Sequence, residues 1–240
     1  MAPGKIDKAE LGRLRNEVLA ANLELVERGL VLYTFGNASG IDRASGLVAI
    51  KPSGVPYAEL RAEYLPVFTL EGKLVEGKLK PSSDLDTHLH LYREFAGIGA
   101  VVHTHSEYAT SWAQAGRAIP AYGTTHADYF HGPVPVTAPL TDAEIGEDYV
   151  LNTGVAITRL FKEQALDPLA VPAALVAGHA PFVWGRTASE AAHNAVVLEA
   201  VARMAYLTEM VNGSAQPVSQ ALLDRHYSRK HGATKTYGQG

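Results

Sequence analysis

The densest chemistry in this 240-residue chain is His103-Thr104-His105, which ends the apolar run GIGAVV. Side chains alternate across a strand, so residues i and i+2 share a face about 6.6 Å apart. Two imidazoles at that separation can reach one cation at nitrogen–metal distances of about 2.0–2.1 Å. Taken alone, the pair reads equally well as two exposed histidines beyond a strand end. A further imidazole, His179, follows another apolar run in AALVAGHAPFVWG, and Gly178 before it allows a tight backbone approach. Three histidines make an ion site that keeps open positions for water or substrate. By itself His179 reads as a hydrogen-bonded core histidine. Asp84 stands at the mouth of a helix as a fourth ligand, a base, or simply an acid set against the helix dipole. The chain has ten His and no Cys. That excludes disulfides, thiolate nucleophiles, zinc fingers and iron–sulfur clusters, and leaves His, Asp and Glu to hold any metal.

Small, hydroxyl-rich turns form a second group: Phe35-Gly36-Asn37-Ala38-Ser39, Lys51-Pro52-Ser53-Gly54 and Ser82-Ser83. The last opens a helix, whose free N–H groups and positive dipole end suit a phosphate. Lys51 adds a point charge. None is a phosphate loop of the nucleotide-binding type or a dinucleotide fingerprint, so a nucleotide is not indicated. As isolated turns they read as structural. Gly123-Thr-Thr-His-Ala-Asp-Tyr-Phe-His131 concentrates titratable groups between glycines. Asp128 in it is a general acid or base if the fold or a partner subunit carries it to the site, and otherwise a solvated loop acid. His88 and His90 lie two apart on a helix and point to different faces, so they cannot chelate together and read as packing or surface residues. His193, inside another helix, reads as structural. Tyr237 sits close to the chain end, where tails fray, and pattern alone would not select it.

The elements that must position these groups are legible from periodicity. Leu11, Leu14, Val18, Ala21 and Leu25 step by three and four, which predicts a helix over residues 6–28 with Gly29 as its C-terminal stop. Strands are expected over 31–34, 37–41, 47–50 and 65–70, with turns at 42–46 and 52–56 and a hairpin turn at Glu71-Gly72-Lys73. A helix is expected from Ser83 to about Phe95, with Ser83 and Asp86 as a capping box. Then come a buried strand over 99–104 and a helix over 106–115. Thr141 with Glu144 and Thr187 with Glu190 carry the same capping pattern, each opening a helix. Strands at 173–177 and 181–184 lie between them, and a last helix is expected over 217–230. With no repeat and no long linker, the expectation is a single α/β domain over 1–240. Its sheet is mixed, largely antiparallel, between helical layers.

Composition narrows the partners. With 21 Lys and Arg against 25 Asp and Glu, the formal charge is −4. That argues against a general nucleic-acid binder, while leaving room for a local anion pocket. The longest apolar stretch, residues 169–177, contains Pro172 and is far short of the roughly 18–20 residues that span a bilayer. The start, MAPGKIDKAE, has no apolar core of a signal sequence. The expectation is a cytoplasmic protein that does not engage membranes.

Taken together, TFGNASG, IKPSGVPY, KPSSDLDTHLHLY, VVHTHSEYATSWAQAG, GTTHADYF, GHAPFVWG, HNAVVLE and LLDRHYSRKHG resemble the class II aldolase family of the fuculose-phosphate aldolase type, and within it the pentulose-phosphate 4-epimerases. The resemblance runs from about residue 12 to the tail. It implies a three-layer α/β/α domain, assembled as a homotetramer with active sites at subunit interfaces. By that likeness His103, His105 and His179 bind Zn²⁺, with Mn²⁺ or Co²⁺ as substitutes, and Asp84 is a ligand or near-ligand. Gly36, Asn37, Ser53, Gly54, Ser82 and Ser83 cradle a sugar phosphate with Lys51 nearby. Asp128 and Tyr237 match an acid/base pair lent by the neighbouring subunit, with His226 and Lys230 in the same C-terminal block. The implied reaction interconverts L-ribulose 5-phosphate and D-xylulose 5-phosphate by breaking and remaking C3–C4, a step that arabinose and ascorbate catabolism both use. The related aldolases place Glu where this chain has Asp84, and a Glu reaches about one methylene further, to the carbon being cleaved. Asp84, the GTTHADYF loop and Tyr237 favour epimerisation; an aldolase releasing its aldehyde, or a non-catalytic subunit of the same fold, are the rivals.

Overall fold

The computed structural model describes residues 7–232. Asp7 opens the first helix, α1 (Lys8–Glu27), by accepting the Ala9 N–H on its side chain, and Leu11, Leu14, Val18, Ala21 and Leu25 are buried along one stripe. The helix closes with Leu30 N–H donating to the Leu25 carbonyl and Gly29 N–H to the Val26 carbonyl, both at 2.9 Å. Gly29 takes φ +68° in this Schellman stop, a backbone state that suits glycine.

The strand expected at 31–34 does not form. The segment is a turn, with Tyr33 at φ +52° and Phe35 N–H donating to the Leu32 carbonyl. Its β-branched and aromatic residues suit a strand, but no sheet edge is open beside it. The next segment, β1 (Asn37–Asp42), already has partners on both sides.

The remaining elements are β2 (Leu47–Ile50), β3 (Val67–Thr69), β4 (Leu74–Glu76), α2 (Leu85–Glu94), β5 (Ala100–His103), α3 (Glu107–Gln114), a single turn α4 (Thr124–Ala127), α5 (Asp142–Glu163), β6 (Ala173–Leu175), β7 (Pro181–Gly185), α6 (Ala188–Val211) and α7 (Gln220–His231). The sheet order is β4-β3-β2-β1-β5-β7-β6, and each neighbouring pair is antiparallel. The expected mixed sheet is therefore antiparallel between its strands. The parallel contact among the described residues is an isolated bridge from Val136 to Leu175.

Helices cover both faces. Ala38, Ala100, Val102 and Val183 point toward α1, α3 and α6, where alanines of α6 allow close approach to the sheet. Ile41, Ile50, Val101, Phe182 and Trp184 point toward α2 and α5. The α1 stripe over Leu47, Ala49 and Val67 continues the first layer. This is the layered α/β/α arrangement that the sequence predicts.

Two of the three expected caps behave locally. Thr141 and Glu144 form a reciprocal box at the start of α5. Thr187 accepts the Glu190 N–H, while the Glu190 carboxylate accepts the Arg186 N–H. The box expected from Ser83 and Asp86 is absent: α2 begins after Asp84, which makes no side-chain cap bond. Its carboxylate is drawn to Asn37 instead.

No described helix is long and apolar enough to cross a membrane. The helical layer is tied to the sheet by Asn22, fully buried on α1. Its side chain accepts the Ala38 N–H at 2.9 Å and donates to the Ala38 carbonyl at 3.1 Å. Replacing Asn22 with Ala strands the Ala38 N–H, a buried orphan costing about 1–3 kcal/mol, while the Ala38 carbonyl keeps the Lys51 N–H at 3.3 Å. Urea denaturation of Asn22→Ala is expected to show about 2 kcal/mol lost; a loss below about 0.5 kcal/mol would mean that water replaces the bond.

Candidate metal centre

The register of β5 sets the site. His103 is the last residue of β5, opposite Asn37 on β1 and Phe182 on β7. Its Nδ1–H donates to the Pro181 carbonyl at 2.9 Å, and its ring stacks on Phe182 at 4.2 Å between centroids. The backbone bond fixes the tautomer, so Nε2 carries the lone pair and faces the site. His105 lies beyond the strand end, with its Nε2 3.1 Å from His103 Nε2. Gly178 at φ +71° turns the chain between β6 and β7 and delivers His179 from the other side. One nitrogen from each of His103, His105 and His179 lies within 4.8 Å of the others.

Burial keeps these imidazoles neutral. It pushes His103 down, against the opposing charge of Asp84 and the Pro181 bond. It pushes His105 down, aided by His103. It takes His179 to about 4, with His103 and His105 adding to the effect. Neutral imidazoles present lone pairs, the state a divalent cation needs. This donor set, all nitrogen with a carboxylate beside it, suits zinc-like ions.

The carboxylate is Asp84. Its Oδ2 accepts from Asn37 Nδ2 at 2.6 Å and from Ser82 Oγ at 3.3 Å. Burial works to raise its pKa, but the neighbouring His103 and His88, the Asn37 bond and His179 outweigh it and hold it below the ordinary carboxylate range.

A cavity of about 510 Å³ opens over these groups, and Gly36, Asn37, Lys51, Ser53, Gly54, Ser82, Ser83 and Asp84 line it together with the three histidines. The hydroxyl-rich turns meet because Ser53 N–H donates to the Lys80 carbonyl and Ser82 N–H to the Lys51 carbonyl, both at 2.9 Å. Gly36 lets the first turn cross β5: a Cβ there would lie 2.9 Å from the His103 carbonyl oxygen. Lys51 is only 2% exposed. Its ammonium donates to the Pro52 carbonyl and lies 4.6 Å from the Tyr57 ring centroid. Burial lowers its pKa. The charge thus sits in the cavity wall rather than projecting from it.

Asp128 is not among the residues lining that cavity. It sits at the end of α4, held by His226 Nδ1 at 2.9 Å and Arg229 Nη2 at 3.0 Å from α7. Burial pushes its carboxyl up, but the bonds from Arg229 and His226 win and hold it low. Lys230, from the same block, lies over the Tyr129 ring at 3.4 Å. Tyr237 lies outside the described residues. His88 and His90 face apart as expected, His88 to Ser39 and His90 to Thr158. His193 meets the Tyr129 hydroxyl at 3.0 Å.

Sequence reasoning missed Tyr149, which lines the cavity and places its hydroxyl 3.3 Å from His179 Nδ1. A break in α5 at Asp148 brings it there, with the Asp148 carboxylate accepting the Leu151 N–H to restart the helix. An Asp three residues before an acceptable helix position was the available signal.

Residues 16–206 match the family model of the class II aldolase and adducin N-terminal domain. The chain is 49% identical over 227 residues to proteins named L-ribulose-5-phosphate 4-epimerase UlaF from Salmonella paratyphi B and Salmonella typhi, covering 95% of this chain and 99% of each relative. Among solved structures it is similar to an L-fuculose 1-phosphate aldolase, with TM-score 0.77, 25% identity, and coverage of 90% of this chain and 95% of that one. A fuculose-1-phosphate aldolase of Thermus thermophilus gives TM-score 0.66 and 26% identity, covering 86% and 99%.

The buried histidines set an acid limit. Burial takes His88 to about 3, and His126 and His179 to about 4. Unfolded histidine titrates near pH 6.5, so below that the unfolded chain takes up protons that the folded one refuses. Their contribution is complete above about pH 6.5 and is lost as the pH falls toward 4. Urea denaturation with chelator present is expected to lose about 1 kcal/mol or more per pH unit between about pH 6 and 4.5. Stability that stays level over that range would contradict the neutral assignment.

Proposed function

The chain belongs to the class II aldolase and adducin family, and from that premise we propose that it interconverts L-ribulose 5-phosphate and D-xylulose 5-phosphate by inverting C4. The carrying observation is the convergence of three neutral imidazoles on a cavity walled by hydroxyl-rich turns. It occurs in a chain 49% identical, over 95% of its length, to enzymes named for this reaction. The reading takes residues 1–240 as one domain acting in the cytoplasm.

Inversion at C4 meets a chemical obstacle. The C4 hydrogen is not adjacent to the C2 carbonyl, so its loss gives no stabilised anion. Cleaving C3–C4 avoids this. A base takes the C4 hydroxyl proton, C4 becomes an aldehyde, and the C3–C4 electron pair passes to the three-carbon fragment. Glycolaldehyde phosphate then turns over, and the bond re-forms on its other face. His103, His105 and His179 would hold a divalent ion, Zn²⁺ in this reading with Mn²⁺ or Co²⁺ as substitutes, which would supply Lewis acidity to the ketose.

Each residue then has a task. Asp84, tied to Asn37 and Ser82, stands as ligand or near-ligand and is too constrained to follow the substrate. Gly36, Asn37, Ser53, Gly54, Ser82 and Ser83 hold the phosphate end, with the buried Lys51 charge behind them. Retention matters, because escape of the aldehyde turns an epimerase into an aldolase. Asp128 and Tyr237 serve opposite faces of the aldehyde and come from the neighbouring subunit of a homotetramer. Supporting this, Asp128 lies off its own chain's cavity and is ionised at neutral pH, ready to accept the C4 hydroxyl proton on one face. The phenol of Tyr237 starts as the donor on the other, because a tyrosine side chain ordinarily keeps its proton at neutral pH.

Protein incubated with L-ribulose 5-phosphate is expected to yield D-xylulose 5-phosphate by NMR, with no accumulation of glycolaldehyde phosphate. Free aldehyde would mean an aldolase instead, and no turnover of any sugar phosphate would favour a binding subunit. Chelator should abolish turnover and Zn²⁺ or Mn²⁺ restore it; full activity in verified metal-free protein would reject the ion's role. Asp128→Asn should slow inversion by about 10²–10⁴-fold, the usual worth of a positioned acid/base. Zn²⁺ binding, followed by chelator competition, should stay within about twofold in that variant, because Asp128 lies off the histidine cluster.

A further inference from the structure

The HNAVVLE block of α6 takes no part in the reaction, yet it is bonded to the Asp128 segment, to β7, against which His103 packs, and to the start of α3 just after His105. His193 reaches the Tyr129 hydroxyl beside Asp128. Asn194 Nδ2 donates to the Trp184 carbonyl on β7 at 2.9 Å. The Glu199 carboxylate accepts the Tyr108 N–H at 2.8 Å on one oxygen and the Ala109 N–H at 2.9 Å on the other.

The Glu199 contact is the unusual one. Tyr108 and Ala109 are the second and third residues of α3, the donors that an N-cap side chain normally satisfies. The residue in the N-cap position, Ser106, makes no side-chain cap bond. A carboxylate from another helix therefore does the capping, with charge-assisted bonds at the positive end of the α3 dipole.

We propose that Glu199 is a positioning residue for the metal centre, holding His105 in place through the start of α3. The inference rests on the metal reading of the three histidines but not on the sugar they act on. His103 is pinned by the Pro181 carbonyl and by the Phe182 ring. His179 meets the Tyr149 hydroxyl. His105 is exposed, and among the described residues its one side-chain hydrogen bond is to His103 itself. Its place is set by its backbone. Tyr108 follows three positions later, at most about 10 Å of chain away. The far end of α3 is held independently, by Trp112 Nε1 donating to the Ala202 carbonyl at 3.0 Å. Losing Glu199 thus loosens the start of α3, just after His105, where the Thr104 hydroxyl's bond to Ser106 at 3.3 Å remains, and leaves the helix attached.

Zn²⁺ affinity measured by chelator competition tests this, with Co²⁺ absorption of the loaded site as a second readout. Wild type is expected to bind one ion per chain, and His103→Ala to abolish it. Failure there would overturn the metal reading itself. Glu199→Ala should weaken Zn²⁺ at least tenfold and alter the Co²⁺ spectrum. Glu199→Gln, which keeps one acceptor, should weaken it about threefold. Glu209→Ala is the control. Glu209 lies on the same helix as Glu199 but pairs with Arg117, beyond the C-terminal end of α3, and its variant should bind Zn²⁺ like wild type. Should Glu199→Ala not fold, Glu199→Gln decides alone. Wild-type binding with unchanged affinity and spectrum in the folded Glu199 variants would overturn the proposal. Equal weakening in Glu209→Ala would do so as well, since it would reduce the effect to general loosening of α6.

Discussion

The site depends on one constraint, the pairing of β5 between β1 and β7. With His103 opposite Asn37 and Phe182, all three residues point to the same side of the sheet, toward α2. A slip of one residue would turn His103 into the layer under α1 and α6, because side chains alternate with a period of two. The same pairing brings Asn37 to Asp84, and the turn after β6 brings His179 to His103, with ring centroids 4.9 Å apart. The register therefore fixes the ligand set, and the loops add only the last few ångströms.

Beneath the site lies a buried polar chain that makes the register costly to change. Ser39 on β1 meets both His88 Nδ1 and the Tyr92 hydroxyl of α2 at 2.7 Å. These groups are buried, so a shifted strand would leave each without a partner in a low-dielectric interior. Two atoms nearby, Asn37 Oδ1 and His88 Nε2, already lack partners among the described residues. Asn37 lines the cavity, where an unpaired acceptor is available to a hydroxyl of a bound molecule.

The C-terminal helix obeys different physics. Leu223 is its one buried residue, and its attachment is polar and aromatic. His226 and Arg229 grip Asp128, and the Tyr227 ring is stacked between His131 and His231 at 4.8 and 4.5 Å. Contacts of this kind are directional, and they orient a side chain better than an apolar patch would. They hold Asp128 at the surface end of a segment whose Phe130 is fully buried in the main core.

What the sequence determined by itself follows from local periodicity. The α1 stripe, the buried strand that ends at His103 and the Thr141 box depend on neighbours within a few residues, so the pattern and the structure agree. The motif blocks also hold residues that the fold brings together around one cavity, among them His103, His105, His179 and Asp84. Tertiary structure decided the rest. Residues 31–34 have strand-like composition but no vacant edge, and so became a turn. Asp84 is spaced to serve helix α2, but a better partner, Asn37, arrives from a segment 47 residues away. Tyr149 reaches His179 through a break in α5, and Glu199 caps a helix 90 residues earlier in the chain. Each of these turns on which distant group wins a hydrogen bond. That competition is settled only when the layers close, because a pattern along the chain records neighbours in sequence and not neighbours in space.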